Sequence, residues 1–183
     1  LEALLAHLNV GKAILCGQSM GGATVGGYAS RHPDRVTALI LSCSGGGFFP
    51  VTHSEAFKQS IANVKTYEEF SKVAIEQDNF PQRHPVLRFL FDSMAQLNHS
   101  FPIARLADLR GRKFSIEPLV QAKTPALLLG GEDDNGANGA LRQIHQLLPG
   151  SQFHIVPNAG HLLFFEAPEV YNKLVLDFLL GLA

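Results

Sequence analysis

The segment spanning residues 13–31 constrains this chain most. An apolar run at residues 13–16 leads into Gly17-Gln18-Ser19-Met20-Gly21, and a stretch rich in small residues follows. A short apolar run closed by glycine reads as a buried strand. Gly22, Ala23, Gly26, Gly27 and Ala29 read as a helix over residues 23–31 that can press closely on a sheet. The five residues between them fit G-x-S-x-G, a tight strand-to-helix turn that strains one serine and points its hydroxyl outward. Side chains at positions 17 and 21 are expected to crowd such a turn, so Gly17 and Gly21 are read as steric requirements. The Met20 N–H would lie at the helix N-terminus, a free donor in positive potential, suited to a developing oxyanion.

The same alternation continues on both sides of a long interruption. Residues 36–42, VTALILS, form the next strand-like run, and strand–helix–strand spacing of this length implies parallel strands with helices on both faces. After Pro125 the pattern returns. It gives a strand at 126–129, a loop at 132–139, a helix at 140–148, a strand at 151–156 and a last helix with Pro168 in its first turn. Between these halves no β-rich run occurs. Helices are expected at 54–64, 66–77, 85–97 and 103–109, and nine of the thirteen phenylalanines lie here. The chain therefore reads as α/β in three parts: core at 1–47, a helical insert at 48–123, and core again at 124–183.

A serine hydroxyl is a weak nucleophile at neutral pH; it needs a base, and the base needs an orienting group. His161, in the turn after the last strand, has the right position, because open α/β sheets build their sites from loops at the carboxyl ends of strands. The other seven histidines fall on helices, in a strand or in the insert. Glu132, Asp133 and Asp134 follow another strand and offer the orienting carboxylate; those not used read as exposed loop charges.

GQSMGG, PALLLGGEDD and PNAGHLLFFEAPE together resemble the α/β-hydrolase superfamily, in particular its lidded esterases, lactonases and C–C hydrolases. The resemblance implies Ser19 as nucleophile, His161 as base and Asp134 as acid, with Asp133 as the runner-up. It implies a mostly parallel sheet with a helical cap at 48–123, and an ester or related carbonyl as the bond cleaved. It implies no metal and no organic cofactor. The phenylalanines of the insert point to a small apolar or aromatic ester-like substrate.

In that family further strands, and a loop carrying a second oxyanion donor, come before the elbow. Ser19 stands near the start of this sequence, which opens at Leu1 inside a helical pattern. The expectation is the C-terminal part of a longer hydrolase, slow on its own, with an exposed elbow-strand edge through which copies associate.

Composition narrows the partners. Fifteen basic residues against sixteen acidic leave no charge run suited to nucleic acid or an anionic membrane. No apolar run approaches the ~18 residues of a membrane span. Cys16 and Cys43 both lie in strand-like segments, so they are expected as buried thiols of a cytoplasmic protein, without a disulfide or a cysteine-bound metal.

Overall fold

The computed structural model describes residues 1–62, 64, 66–74, 80–98 and 113–182. The expected helix at 103–109 and the end of the one at 66–77 lie outside these residues.

A short helix α1 (Glu2–His7) precedes β1 (Ala13–Gln18), α2 (Met20–Arg31) and β2 (Val36–Ser42). After the insert come α7 (Glu117–Gln121), β5 (Ala126–Gly131), α8 (Asn138–Leu147), β6 (Gln152–Val156), α9 (Leu163–Glu166) and α10 (Pro168–Leu180). Four strands form one parallel sheet in the order β1-β2-β5-β6. The two central strands, VTALILS and ALLLGG, are buried almost throughout. They are continuous apolar runs because helices cover both of their faces. Leu39, Leu41, Leu127, Leu128 and Leu129 form the centre of the core with Leu141 and Ile144 of α8.

Two expectations about β1 need correction. It is not a fully buried strand, and Cys16 is not a buried thiol: burial alternates along β1, and Ile14 and Cys16 are exposed. Among the described residues β1 has β2 as its sheet neighbour and lies at the end of the order, and its alternating burial means that one face is packed and the other open. The Cys16 thiol lies 3.5 Å from the Tyr171 hydroxyl of α10. Cys43, directly after β2, is buried as expected.

The helix after the glycine turn begins at Met20, three residues earlier than its small-residue pattern predicts. Ser19 reverses the chain within a single residue, so no loop is needed. The small residues then act as expected. A methyl on Gly26 would collide with the Gly46 carbonyl, and one on Gly27 would meet the Phe114 ring at 2.6 Å.

The insert contains β3 (Phe48–Phe49), α3 (Glu55–Ala62), α4 (Tyr67–Ala74), α5 (Phe80–Arg83), α6 (Pro85–Ala95) and β4 (Phe114–Ser115). Its two ends are joined by a two-residue parallel ladder, Phe48 to Phe114 and Phe49 to Ser115. This ladder is too short to leave a β pattern in sequence. Phe48, Val51, Ile116 and Leu119 beside it belong to the main core. Phe80 instead joins Leu162, with Leu87, Phe91 and Phe165 around them, in a second small cluster. Phe49 and Phe89 are 63% and 70% exposed. No described helix is long and apolar enough to cross a membrane.

Candidate active site

The site forms where β1, β5 and β6 end. Ser19 has φ 51° and ψ −120°, a conformation that costs a non-glycine residue of order 1–3 kcal/mol. Its N–H donates to the Ser42 carbonyl (3.0 Å), extending the β1–β2 ladder one residue into the turn. Its carbonyl accepts from Gly22 N–H (3.0 Å). Held at both ends, the residue cannot relax, and its hydroxyl stands away from the sheet.

The two elbow glycines are not equivalent. A methyl on Gly17 would meet Val25 at 2.5 Å and the Gly21 carbonyl at 2.7 Å. A methyl on Gly21 would meet nothing within 4 Å, so crowding does not require glycine there. The second crowded position is Gly22, where the Cβ of Ser44 would lie 2.5 Å away. The reason is helical geometry: residue 22 faces the sheet one step after residue 21 faces outward.

His161 Nε2 lies 2.8 Å from Ser19 Oγ, and its Nδ1 lies 2.9 Å from Asp134 Oδ2. With the proton on Nδ1 donated to Asp134, Nε2 is left to accept from the serine hydroxyl. Asp134 is 1% exposed, and its other oxygen accepts from Ala137 N–H (3.1 Å). A buried carboxylate with both oxygens engaged is a fixed orienting group. Asp133, the alternative carboxylate, points elsewhere and pairs with Arg83 of α5 at 2.8 Å. Glu132 accepts from Asn158 N–H (3.0 Å). Glu132 is an exposed loop charge, as the sequence implies, while Asp133 is only partly exposed; both have a partner. Met20 is the first residue of α2; its N–H has no intrahelical acceptor and lies beside Ser19.

The loops carrying Asp134 and His161 meet backbone to backbone. Glu132 N–H donates to the Val156 carbonyl (2.8 Å), and Asp133 N–H to the Ala159 carbonyl (3.0 Å). A side chain on Gly131 would strike the carbonyls of Ala159 and Gly160.

Beneath the pair lies Cys43, whose thiol contacts the Gly160 carbonyl at 3.8 Å. Burial, reinforced by the negative charge of Asp134, pushes this thiol well above its ordinary range and keeps it protonated. Cys43, Asp134 and His161 are the described residues whose donor atoms cluster as a metal site would need, within 4.8 Å of one another. The set suits a metal poorly, because ligation would require deprotonating that thiol and breaking the Asp134–His161 bond.

Sequence reasoning missed Cys43, Gln18 and Glu166. Gln18 donates to the His161 carbonyl (2.7 Å). Glu166 accepts from Gly160 N–H (2.9 Å) and Leu162 N–H (3.1 Å). The available signal was a carboxylate five residues beyond His161, in a turn whose amides need acceptors.

A parallel sheet whose strand-end loops bring serine, histidine and aspartate into one hydrogen-bonded chain defines a class, the α/β proteins with a nucleophile elbow. The chain belongs to the alpha/beta hydrolase family, whose profile matches residues 1–174. It is similar to the putative 2-succinyl-6-hydroxy-2,4-cyclohexadiene-1-carboxylate synthase of Bacillus subtilis, with 28% identity over 98% of this chain and 70% of that protein. It is equally similar, at 28%, to the 2-hydroxy-6-oxononadienedioate/2-hydroxy-6-oxononatrienedioate hydrolase of Paraburkholderia phymatum, over 98% of this chain and 66% of the relative. Carboxylesterase YbfK of Bacillus subtilis is 28% identical over 99% of this chain and 62% of its own length. The YbfK crystal structure superposes with a TM-score of 0.72, at 23% identity, covering 98% of this chain and 64% of that one. The chain thus spans about two thirds of the length of these relatives.

Proposed function

We propose that this site is that of a serine hydrolase acting on an ester or related activated carbonyl, with Ser19 as nucleophile, His161 as general base and Asp134 as orienting acid. The observation that carries the reading is the pair of hydrogen bonds on one imidazole, 2.8 Å to Ser19 and 2.9 Å to Asp134. His161 takes the hydroxyl proton as Ser19 attacks the carbonyl carbon. Asp134 stabilises the resulting imidazolium. The Met20 N–H donates to the oxyanion. His161 returns the proton to the leaving group, and water attacks the acyl-serine by the same route in reverse. The insert acts as a cap: α5 and α6 pack on the histidine loop through Phe80, Leu87 and Phe91, and Arg83 reaches the acid loop. Its exposed phenylalanine surface supports a small apolar or aromatic substrate.

The similarity to a named C–C hydrolase favours a second reading, cleavage of a carbon–carbon bond beside a carbonyl with the same three residues. Reaction of the purified chain with a fluorophosphonate probe tests the shared chemistry. Label is expected on Ser19 and absent after Ser19→Ala; equal labelling of both proteins would sink the proposal. Comparing turnover of p-nitrophenyl esters with that of a 2-hydroxy-6-oxo-dienoate separates the two readings.

A further inference from the structure

Four of the atoms that fix the backbone on either side of His161 are bonded to side chains or loops outside its own turn. The peptide unit joining Ala159 and Gly160 is held at both ends: its carbonyl accepts from Asp133 N–H (3.0 Å) and its N–H donates to Glu166 Oε2 (2.9 Å). The unit joining His161 and Leu162 is held the same way. Its carbonyl accepts from Gln18 Nε2 (2.7 Å) and its N–H donates to Glu166 Oε1 (3.1 Å). One carboxylate therefore bridges the peptide unit that follows His161 and the unit that precedes Gly160, one oxygen to each.

We propose that Glu166 is a positioning residue for His161. It acts by fixing the peptide plane after His161 and the plane before Gly160, which pins the two residues between them and so aims the imidazole at Ser19 and Asp134 together. The direction of a side chain follows from the φ and ψ of its residue; the plane that sets ψ of His161 is held directly, and the plane that sets φ is confined between it and the held Ala159–Gly160 unit. Hydrogen bonds from N–H groups to an ionised carboxylate are shorter and stronger than those to neutral acceptors. The half-buried carboxylate sits at the junction of the last two core helices, since α9 ends at Glu166 and α10 begins at Pro168. Glu166 thus ties the histidine loop to a rigid element. Gln18 ties the same loop to the elbow, two positions before Met20. Neither side chain has a hydrogen bond to Ser19 Oγ or the imidazole, so both act through the backbone of residue 161. A base displaced by about 1 Å from its nucleophile loses of order 10² in rate.

The role rests on the hydrolase reading, and two measurements on the full chain keep the two claims separable. The first is steady-state hydrolysis of p-nitrophenyl butyrate by the native protein, Ser19→Ala, Glu166→Gln and Glu166→Ala. Given Ser19-dependent turnover, Glu166→Ala is expected to lower kcat about 10²-fold with little change in KM. Glu166→Gln retains one acceptor oxygen and is expected to fall in between, at about tenfold. The second is the low-field proton resonance of the His161 Nδ1–H donated to Asp134. It should be sharp in the native chain and broadened or lost in Glu166→Ala. Native kcat in either folded variant, or an unchanged resonance, overturns the proposal. If the native chain has no Ser19-dependent turnover, the hydrolase reading fails by itself and the resonance alone decides the positioning role. If Glu166→Ala does not fold, Glu166→Gln decides it by both readouts.

Discussion

The sheet that carries Ser19, Asp134 and His161 and the insert between its strands are built on opposite terms. In the sheet, β2 and β5 are apolar along nearly their whole length, and every leucine from Leu127 to Leu129 is fully buried. The insert buries Phe80 but leaves Val86, Phe89 and Met94 of α6, and Leu97 just beyond it, more than half exposed. It is held to the core by Phe48, Val51, Ile116 and Leu119 packed in the main cluster, by the contact of Phe80 with Leu162, and by polar ties. These ties are Arg83 to Asp133, His53 to the Gly136 carbonyl and Gln143 to the Thr52 carbonyl. The difference teaches where precision is needed. Proton transfer tolerates little misplacement, so its groups sit on elements fixed by burial and backbone bonds.

The adjacent carboxylates Asp134 and Asp133 put the contrast in two neighbouring residues, one facing the core and one facing the insert. Asp134→Asn is expected to reduce kcat by about 10⁴, since an amide donor opposite Nδ1 favours the wrong imidazole tautomer. Asp133→Asn should leave kcat within a few-fold. Measuring esterase turnover of both variants side by side would break the assignment if their order were reversed. Stability gives the next largest effect. Leu128→Ala is expected to cost about 2–5 kcal/mol through lost burial and the cavity left behind. Phe89→Ala on exposed α6 should stay within about 0.5 kcal/mol of native. Urea denaturation of both variants reads this, and equal losses would remove the distinction between the regions. The smallest change is expected for Arg83→Ala. The pair with Asp133 is only partly shielded from water, so its loss should cost under about 1 kcal/mol and weaken further with salt. A larger loss in thermal melts at low and high salt would mean that the insert is anchored more firmly than its contacts imply.

The parts legible in the sequence were those whose signal is local. The run at residues 13–22 announces a strand, a turn and a helix within ten positions. VTALILS and PALLLGG are apolar because they are buried on both faces, so their role can be read from composition alone. The α/β class and the four core strands follow from these. What escaped depends on direction or on distant partners. The motif treats Gly17 and Gly21 alike, yet only helical phase decides which position meets Ser44, and that proved to be Gly22. Cys16 and Cys43 have similar neighbours in sequence, but one lies in an end strand and the other under the acid. The helices α7 and α9, of five and four residues, are too short to show a period. Glu166 reads as one more acidic residue near a helix start, because its two acceptor bonds are to backbone groups that carry no sequence signature.

Gly131 carries a consequence beyond its own turn. Because its missing side chain lets the acid loop and the histidine loop touch through peptide groups, the spacing between Asp134 and His161 does not depend on what any surface residue happens to be. The spacing is set by the backbone of two core loops and not by the side chains of the insert. One methyl group at position 131 would wedge the two loops apart, so the distance between acid and base is set at a place where no side chain stands.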